Sequence, residues 1–144
     1  MINLNEAFSP IVKVPFGHDI YNIAGTVGAR PDADGKLRTP ANVEAQTQML
    51  FDNLEERLGS LTLSLGHVRS MNVLLHDIDD YEVVSGIYVR RFREVIGPDA
   101  PMPARTMVGG LDLPPVADMP LLVEMMGTAS APPFEHLIRE QQQN

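Results

Sequence analysis

The chain contains no cysteine and no tryptophan, and aromatic residues make up only 6% of its 144 positions. The first absence excludes disulfides, thiolate metal sites and cysteine nucleophiles, and it agrees with a reducing compartment. Basic residues are also scarce: 11 Lys and Arg stand against 19 Asp and Glu, a formal net charge of -8. Such a field repels phosphate backbones and anionic lipid head groups, and no run of Lys and Arg offers a local exception. Neither nucleic acid nor a membrane surface is therefore an expected partner. No apolar run approaches the ~18 to 20 residues needed to cross a bilayer. The segment Met1-Ile2-Asn3-Leu4-Asn5-Glu6 lacks the basic start and apolar core of a signal peptide, so a cytoplasmic protein is expected.

What is present is apolar material for one core. At 44% hydrophobic content, a chain of this length fits a single domain, expected over residues 1–130, with a C-terminal tail over 131–144. The tail opens near Pro132-Pro133 and ends in glutamines, and either a short helix or a frayed end suits it.

Periodicity outlines the elements. Ile11 to Val14 and Ile20 to Val27 are rich in β-branched residues and flank Pro15-Phe16-Gly17-His18-Asp19, which predicts two strands joined by a turn. Pro31-Asp32-Ala33-Asp34-Gly35 is a second turn signal. Its Asp-Ala-Asp-Gly resembles part of a calcium loop but lacks the third acidic position and the closing glutamate, so the turn reading is favoured. Thr39-Pro40 offers an N-cap for a helix carrying Val43, Thr47, Leu50, Phe51, Leu54 and Leu58 on one face and ending near Gly59. A strand follows over His67 to Leu75, with Val68, Ser70, Asn72 and Leu74 on one face. Asp79 and Glu82 suggest a capping box for a second helix with the stripe Tyr81, Val84, Tyr88, Phe92, Val95, stopped by Gly97-Pro98. Two more strands, near 104–111 and 120–129, and a short one near 36–38 complete the pattern. It points to an α+β sandwich, two helices on one face of a mixed sheet. The last strand is apolar on both faces except at Glu124, which favours a homo-oligomer.

Arg105 stands in an otherwise apolar strand, and Glu124 interrupts another. Charges so placed need each other or a ligand. An ion pair that only staples the sheet would stabilise weakly. A guanidinium is well shaped to grip a carboxylate through two parallel hydrogen bonds, so a small anionic substrate is the favoured reading. The four histidines show no metal-pair spacing, and no Gly-x-Ser-x-Gly elbow or phosphate-cradling glycine loop exists.

Ile23-Ala24-Gly25-Thr26, Gln46-Thr47, Asn53-Leu54, Val73-Leu74-Leu75-His76-Asp77, Tyr88, Pro103-Ala104-Arg105, the following Leu113-Pro114, and Val123-Glu124 together resemble the Rid family, also called RidA/YjgF. The resemblance runs from about Ser9 to Ala129. It implies a chorismate-mutase-like α+β fold, a homotrimer with the sheets facing inward, and a site in each cleft between subunits. It further implies a deaminase that hydrolyses enamines and imines such as 2-aminoacrylate to 2-oxo acids and ammonia, without cofactor or metal. Arg105 would bind the substrate carboxylate and Glu124 would hold or activate water. The backbones of Gly25 and Met107 would meet the nitrogen-bearing end and the reacting centre.

Departures bear on the substrate. Ser9-Pro10-Ile11 stands where active deaminases commonly carry Gly-Pro-Tyr, so a phenol is missing. Ser85 stands where archetypal members have asparagine, and Met107 where cysteine is frequent. Ser85 is read both as a substrate contact and, with Gly86, as a small residue for close helix packing. Two other functions stay open: a non-catalytic trimer that binds a small carboxylate, and hydrolysis of a different C–N bond.

Overall fold

The computed structural model describes residues 4–133, so nearly all of the expected tail lies outside the described residues. In chain order the elements are α1 (Leu4–Ala7), β1 (Asp19–Val27), the ribbon strands β2 (Arg30–Pro31) and β3 (Leu37–Arg38), α2 (Val43–Ser60), β4 (Val68–Leu75), α3 (Tyr81–Ile96), β5 (Ala104–Val108) and β6 (Val123–Ala131). One mixed sheet has the order β1-β6-β4-β5. Its β4, β5 pair is parallel and its other pairs antiparallel. Helices α2 and α3 cover one face, giving the expected α+β sandwich.

The helical stripes build the core. Leu50, Phe51, Leu54 and Leu58 of α2 and Val84, Tyr88 and Phe92 of α3 pack onto Met71, Val73, Leu75, Val123 and Met125 of the sheet. Each such large apolar side chain contributes about 1.5–3 kcal/mol by leaving water. Phe51 meets Tyr88 and Phe92 edge-on, at centroid distances of 5.9 and 6.0 Å. Val95, expected in the α3 stripe, is instead 43% exposed, while Ile87, outside that stripe, is buried in the core.

Four local expectations need correction. Residues 11–14 form no strand. They are flanked by Pro10 and Pro15, which offer no N–H to a ladder; the turn itself is present, closed by His18 N–H donating to Pro15 O. The N-cap of α2 is Asn42, whose side chain accepts from Ala45 N, because the Thr39 hydroxyl donates to Gly28 O. At α3 no capping box forms: Asp77 accepts from Asp79 N in a preceding 3-10 turn, and the N-cap Asp80 makes no side-chain cap bond. Finally, β4 changes phase. Val68 pairs with Ala129 but Ser70 with Thr128, so Arg69 is an extra residue and Val68 faces the core while Ser70 and Asn72 face away.

The short strand expected near 36–38 is β3. Asp32 closes its ribbon, accepting from Asp34 N, Lys36 N and Arg38 Nε at 2.8 to 3.0 Å. The carboxylate is occupied as a turn organiser, as the turn reading required.

Candidate functional site

Arg105 lies on β5, opposite Met71 of β4, and points to the helix-covered side. Nη1 donates to Ser85 Oγ at 3.2 Å and Nη2 to Tyr81 Oη at 3.3 Å. Its guanidinium carbon sits 5.3, 5.8 and 5.0 Å from the ring centres of Phe8, Tyr81 and Tyr88. Aromatic faces stabilise a weakly hydrated cation without neutralising it. Among the described residues no carboxylate pairs with Arg105. A guanidinium has five N–H donors, and two neutral hydroxyls leave several free for an anion. A cavity of about 160 Å³ is lined by Arg105 with Phe8, Pro10, Asn72 and Thr106, while Ser85, Tyr81 and Tyr88 are not part of its wall. That volume is on the order of a pocket that holds benzene.

Tyr88 forms the floor of this arrangement and is fully buried. Burial drives its phenol pKa well above the ordinary value, and the nearby Arg105 charge opposes the shift only in part. Among the described residues its hydroxyl has no hydrogen-bond partner.

Glu124 occupies the other face. It pairs with Leu74 and Val27, and its neighbours Val123 and Met125 point into the core, so its carboxylate lies on the side the helices leave open. There it folds over Gly25: a Cβ at that position would stand 3.1 Å from the carboxyl carbon and closer still to Oε1. Gly25 reaches this place because the β1, β6 register shifts between Ile23 and Thr26. The buried Thr26 hydroxyl is anchored there by Arg57 Nη1 at 3.0 Å. The approach to Glu124 is fixed by Gln46, fully buried, whose amide donates to Pro40 O and Pro120 O and accepts from Leu122 N.

The five residues singled out in the sequence thus form two groups. Arg105, Ser85 and Met107 lie together on the helix side near the β5 edge, while Glu124 and Gly25 share the open face. Two strand spacings and three residue rises put the Arg105 and Glu124 Cα atoms about 14 Å apart. A direct ion pair within one chain does not occur. Sequence reasoning missed Phe8 and Tyr81 beside the arginine. Tyr81 belongs to the apolar stripe expected for α3, and its hydroxyl, a feature it shares with Tyr88, sets it apart only from Val84, Phe92 and Val95.

Other candidates are committed elsewhere. His18 Nδ1 contacts Ser130 Oγ, His67 caps a 3-10 turn and His76 Nδ1 bonds Leu111 O, while His136 lies outside the described residues. Among the described residues no group of three or more His, Asp or Glu is placed to hold a metal ion. The arginine-dense stretch of α3 is used internally. Arg91 pairs with Asp52 and Glu55, Arg90 with Glu94, and Arg93 donates to Gly97 O and Ala100 O. No helix among the described residues is long and apolar enough to cross a membrane.

A mixed sheet covered on one side by two helices, with an unpaired arginine at one edge and a glutamate folded over a glycine on the bare face, defines a small α+β domain of the YjgF type. The profile of the endoribonuclease L-PSP family matches residues 3–130, and the chain belongs to that family, the Rid or YjgF family. It is 30% identical over 112 residues to the 2-iminobutanoate/2-iminopropanoate deaminase of Escherichia coli, covering 78% of this chain and 83% of the relative. It is 36% identical over 81 residues to the mitochondrial protein mmf2 of Schizosaccharomyces pombe, matching 56% of this chain and 59% of that protein. Among solved structures it resembles the Rid-family protein YyfB of Yersinia pestis, with a TM-score of 0.68, 22% identity and coverage of 89% and 90% of the two chains. RidA of an Antarctic Psychrobacter species superposes with a TM-score of 0.65 at 25% identity, over 86% of this chain and 88% of that one.

Proposed function

We propose that this protein hydrolyses small enamine or imine carboxylates, giving a 2-oxo acid and ammonia. The observation that carries the reading is the unpaired, half-buried guanidinium of Arg105, held by aromatic rings and neutral hydroxyls beside a cavity of substrate size. The names of relatives such as the 2-iminobutanoate/2-iminopropanoate deaminase support the reaction class.

In this mechanism Arg105 fixes the substrate carboxylate through two N–H donors. Water, oriented by Glu124, adds its oxygen to the imine carbon and the C=N π pair moves to nitrogen, which takes up a proton. The resulting carbinolamine then loses its nitrogen as ammonia, and the hydroxyl oxygen becomes the new carbonyl. Overall R–C(=NH)–COO⁻ and H₂O become R–CO–COO⁻ and NH₃. The iminium is itself electrophilic, so orientation and proton transfer by a carboxylate suffice for a large part of the rate.

Because Arg105 and Glu124 face opposite sides of the sheet, both can serve one substrate only across two copies of the chain. A homotrimer in which the open face of one subunit meets the β5 edge of the next supplies that arrangement. Subunit pairing would also cover Ile11 and Phe16, which are 87% and 102% exposed in the single chain.

The test generates imino acids in situ with an amino-acid oxidase and follows ammonia and 2-oxo acid release. Acceleration by the wild type, reduced by about 100-fold or more in Arg105→Ala through loss of a bidentate charge-assisted contact, is the expected result. No acceleration with small, aliphatic or aromatic imines would overturn the deaminase reading in favour of carboxylate binding without turnover.

A further inference from the structure

We propose that Tyr81 is a further substrate-binding residue, its phenolic hydroxyl donating to the same carboxylate that Arg105 grips; this rests on the carboxylate reading of Arg105 given above. Tyr81 Oη lies 3.3 Å from Arg105 Nη2 and accepts from it. A phenol that accepts from a cation keeps its own proton for donation. Among the described residues no group accepts that proton, whereas an anion seated on Nη2 would lie within its reach.

Burial separates the two hydroxyls that touch the guanidinium. Ser85 is fully buried one turn further along α3 and locates Nη1 from beneath. Tyr81 is half-buried at the first position of the helix, so of the two residues it is the one open to solvent. The ring alone does not account for the hydroxyl. Phe8 stacks on the same guanidinium at 5.3 Å with no polar atom, closer than the 5.8 Å of Tyr81. Ile11, apolar and 87% exposed, offers the site no hydrogen bond. The geometry therefore builds a three-point anion clamp, two N–H groups from β5 and one O–H from α3, complementary to a planar carboxylate and unsuited to an uncharged ester.

The experiment measures the Kd of 2-oxobutanoate by titration calorimetry for the wild type, Tyr81→Phe, Arg105→Ala and the double variant, with kcat and KM for the corresponding imine. Tyr81→Phe is expected to weaken binding about 10- to 100-fold, the worth of one hydrogen bond to a charged group. KM should rise with it, while kcat and the thermal midpoint stay near wild type. In the Arg105→Ala background the same change should add nothing, because the two residues act on one carboxylate. Wild-type affinity in Tyr81→Phe, with binding lost in Arg105→Ala, would overturn the role of Tyr81 and leave that of Arg105 standing. Wild-type affinity in Arg105→Ala would overturn both.

Discussion

Arg105 and Glu124 sit on opposite faces of one sheet, separated by β4 and three residues out of step along the strands. Backbone stands between them, so no choice of rotamers lets one chain present both to a single ligand. Each has instead made a local setting: rings and hydroxyls for the arginine, the bare backbone of Gly25 for the glutamate.

Subunit complementation follows from that separation. Arg105→Ala and Glu124→Ala should each be inactive, yet equal co-expression of the two should restore about one quarter of wild-type deaminase activity, the fraction of cyclic interfaces receiving an intact arginine from one side and an intact glutamate from the other. Activity assays on the purified mixed assembly, compared with each parent, check this. A mixture no more active than its parents would rule out shared sites.

Gly25→Ala should be inactive for a steric reason. The new methyl group would occupy the space of the Glu124 carboxylate and force this flexible side-chain end to turn away, so activity should be lost while stability stays within about 0.5 kcal/mol of the wild type, as for other surface substitutions. Urea denaturation checks that the fold is kept. Adding Glu124→Ala should lower activity no further, because the carboxylate is already displaced.

Tyr88→Phe should leave the fold as stable as the wild type or raise it by about 1 kcal/mol, since the hydroxyl removed is buried without a partner among the described residues. The ring under Arg105 is kept, so affinity for 2-oxobutanoate should not change. Tyr88→Leu, which removes the ring, should weaken both. Thermal unfolding and calorimetry distinguish the pair.

The β2, β3 ribbon should carry an acid-sensitive contribution from Asp32. Its pKa lies below the ordinary value, chiefly because Arg38 donates to the carboxylate, with the Lys36 and Asp34 amides adding to the effect and desolvation opposing it. A carboxyl depressed in the folded state stabilises fully above its unfolded value, near pH 4, and loses that contribution as pH falls through the lower folded value. Amide shifts of Asp34 and Lys36 should therefore titrate together in acid, and Asp32→Asn should abolish the step.

The stripe Leu50, Phe51, Leu54, Leu58 was legible because a helix repeats its buried face every three to four residues, and Gly97 marked the end of α3 through its positive φ. The start of α2 was not. Thr39 and Asn42 are both competent caps, and only the tertiary bond from Thr39 to Gly28 O decides between them. The change of phase at Arg69 was equally invisible, since a bulge depends on the partner strand. In the site, residue types pointed to Arg105 and Glu124, but their faces follow from strand register, and the meeting of Arg105 with Ser85 and Tyr81 joins elements 20 and 24 residues apart. No periodicity encodes that crossing.

Gln46 ties the first turn of α2 to carbonyl and amide groups 74 and 76 residues further on. The orientation of Glu124 thus depends on closing a loop longer than half the chain, an entropic debt settled only once the helix is docked. The Leu122 amide proton is then a natural clock for the assembly of this site: its protection from exchange begins when sheet, helix and loop have all arrived, and its release reports the first moment any of them departs.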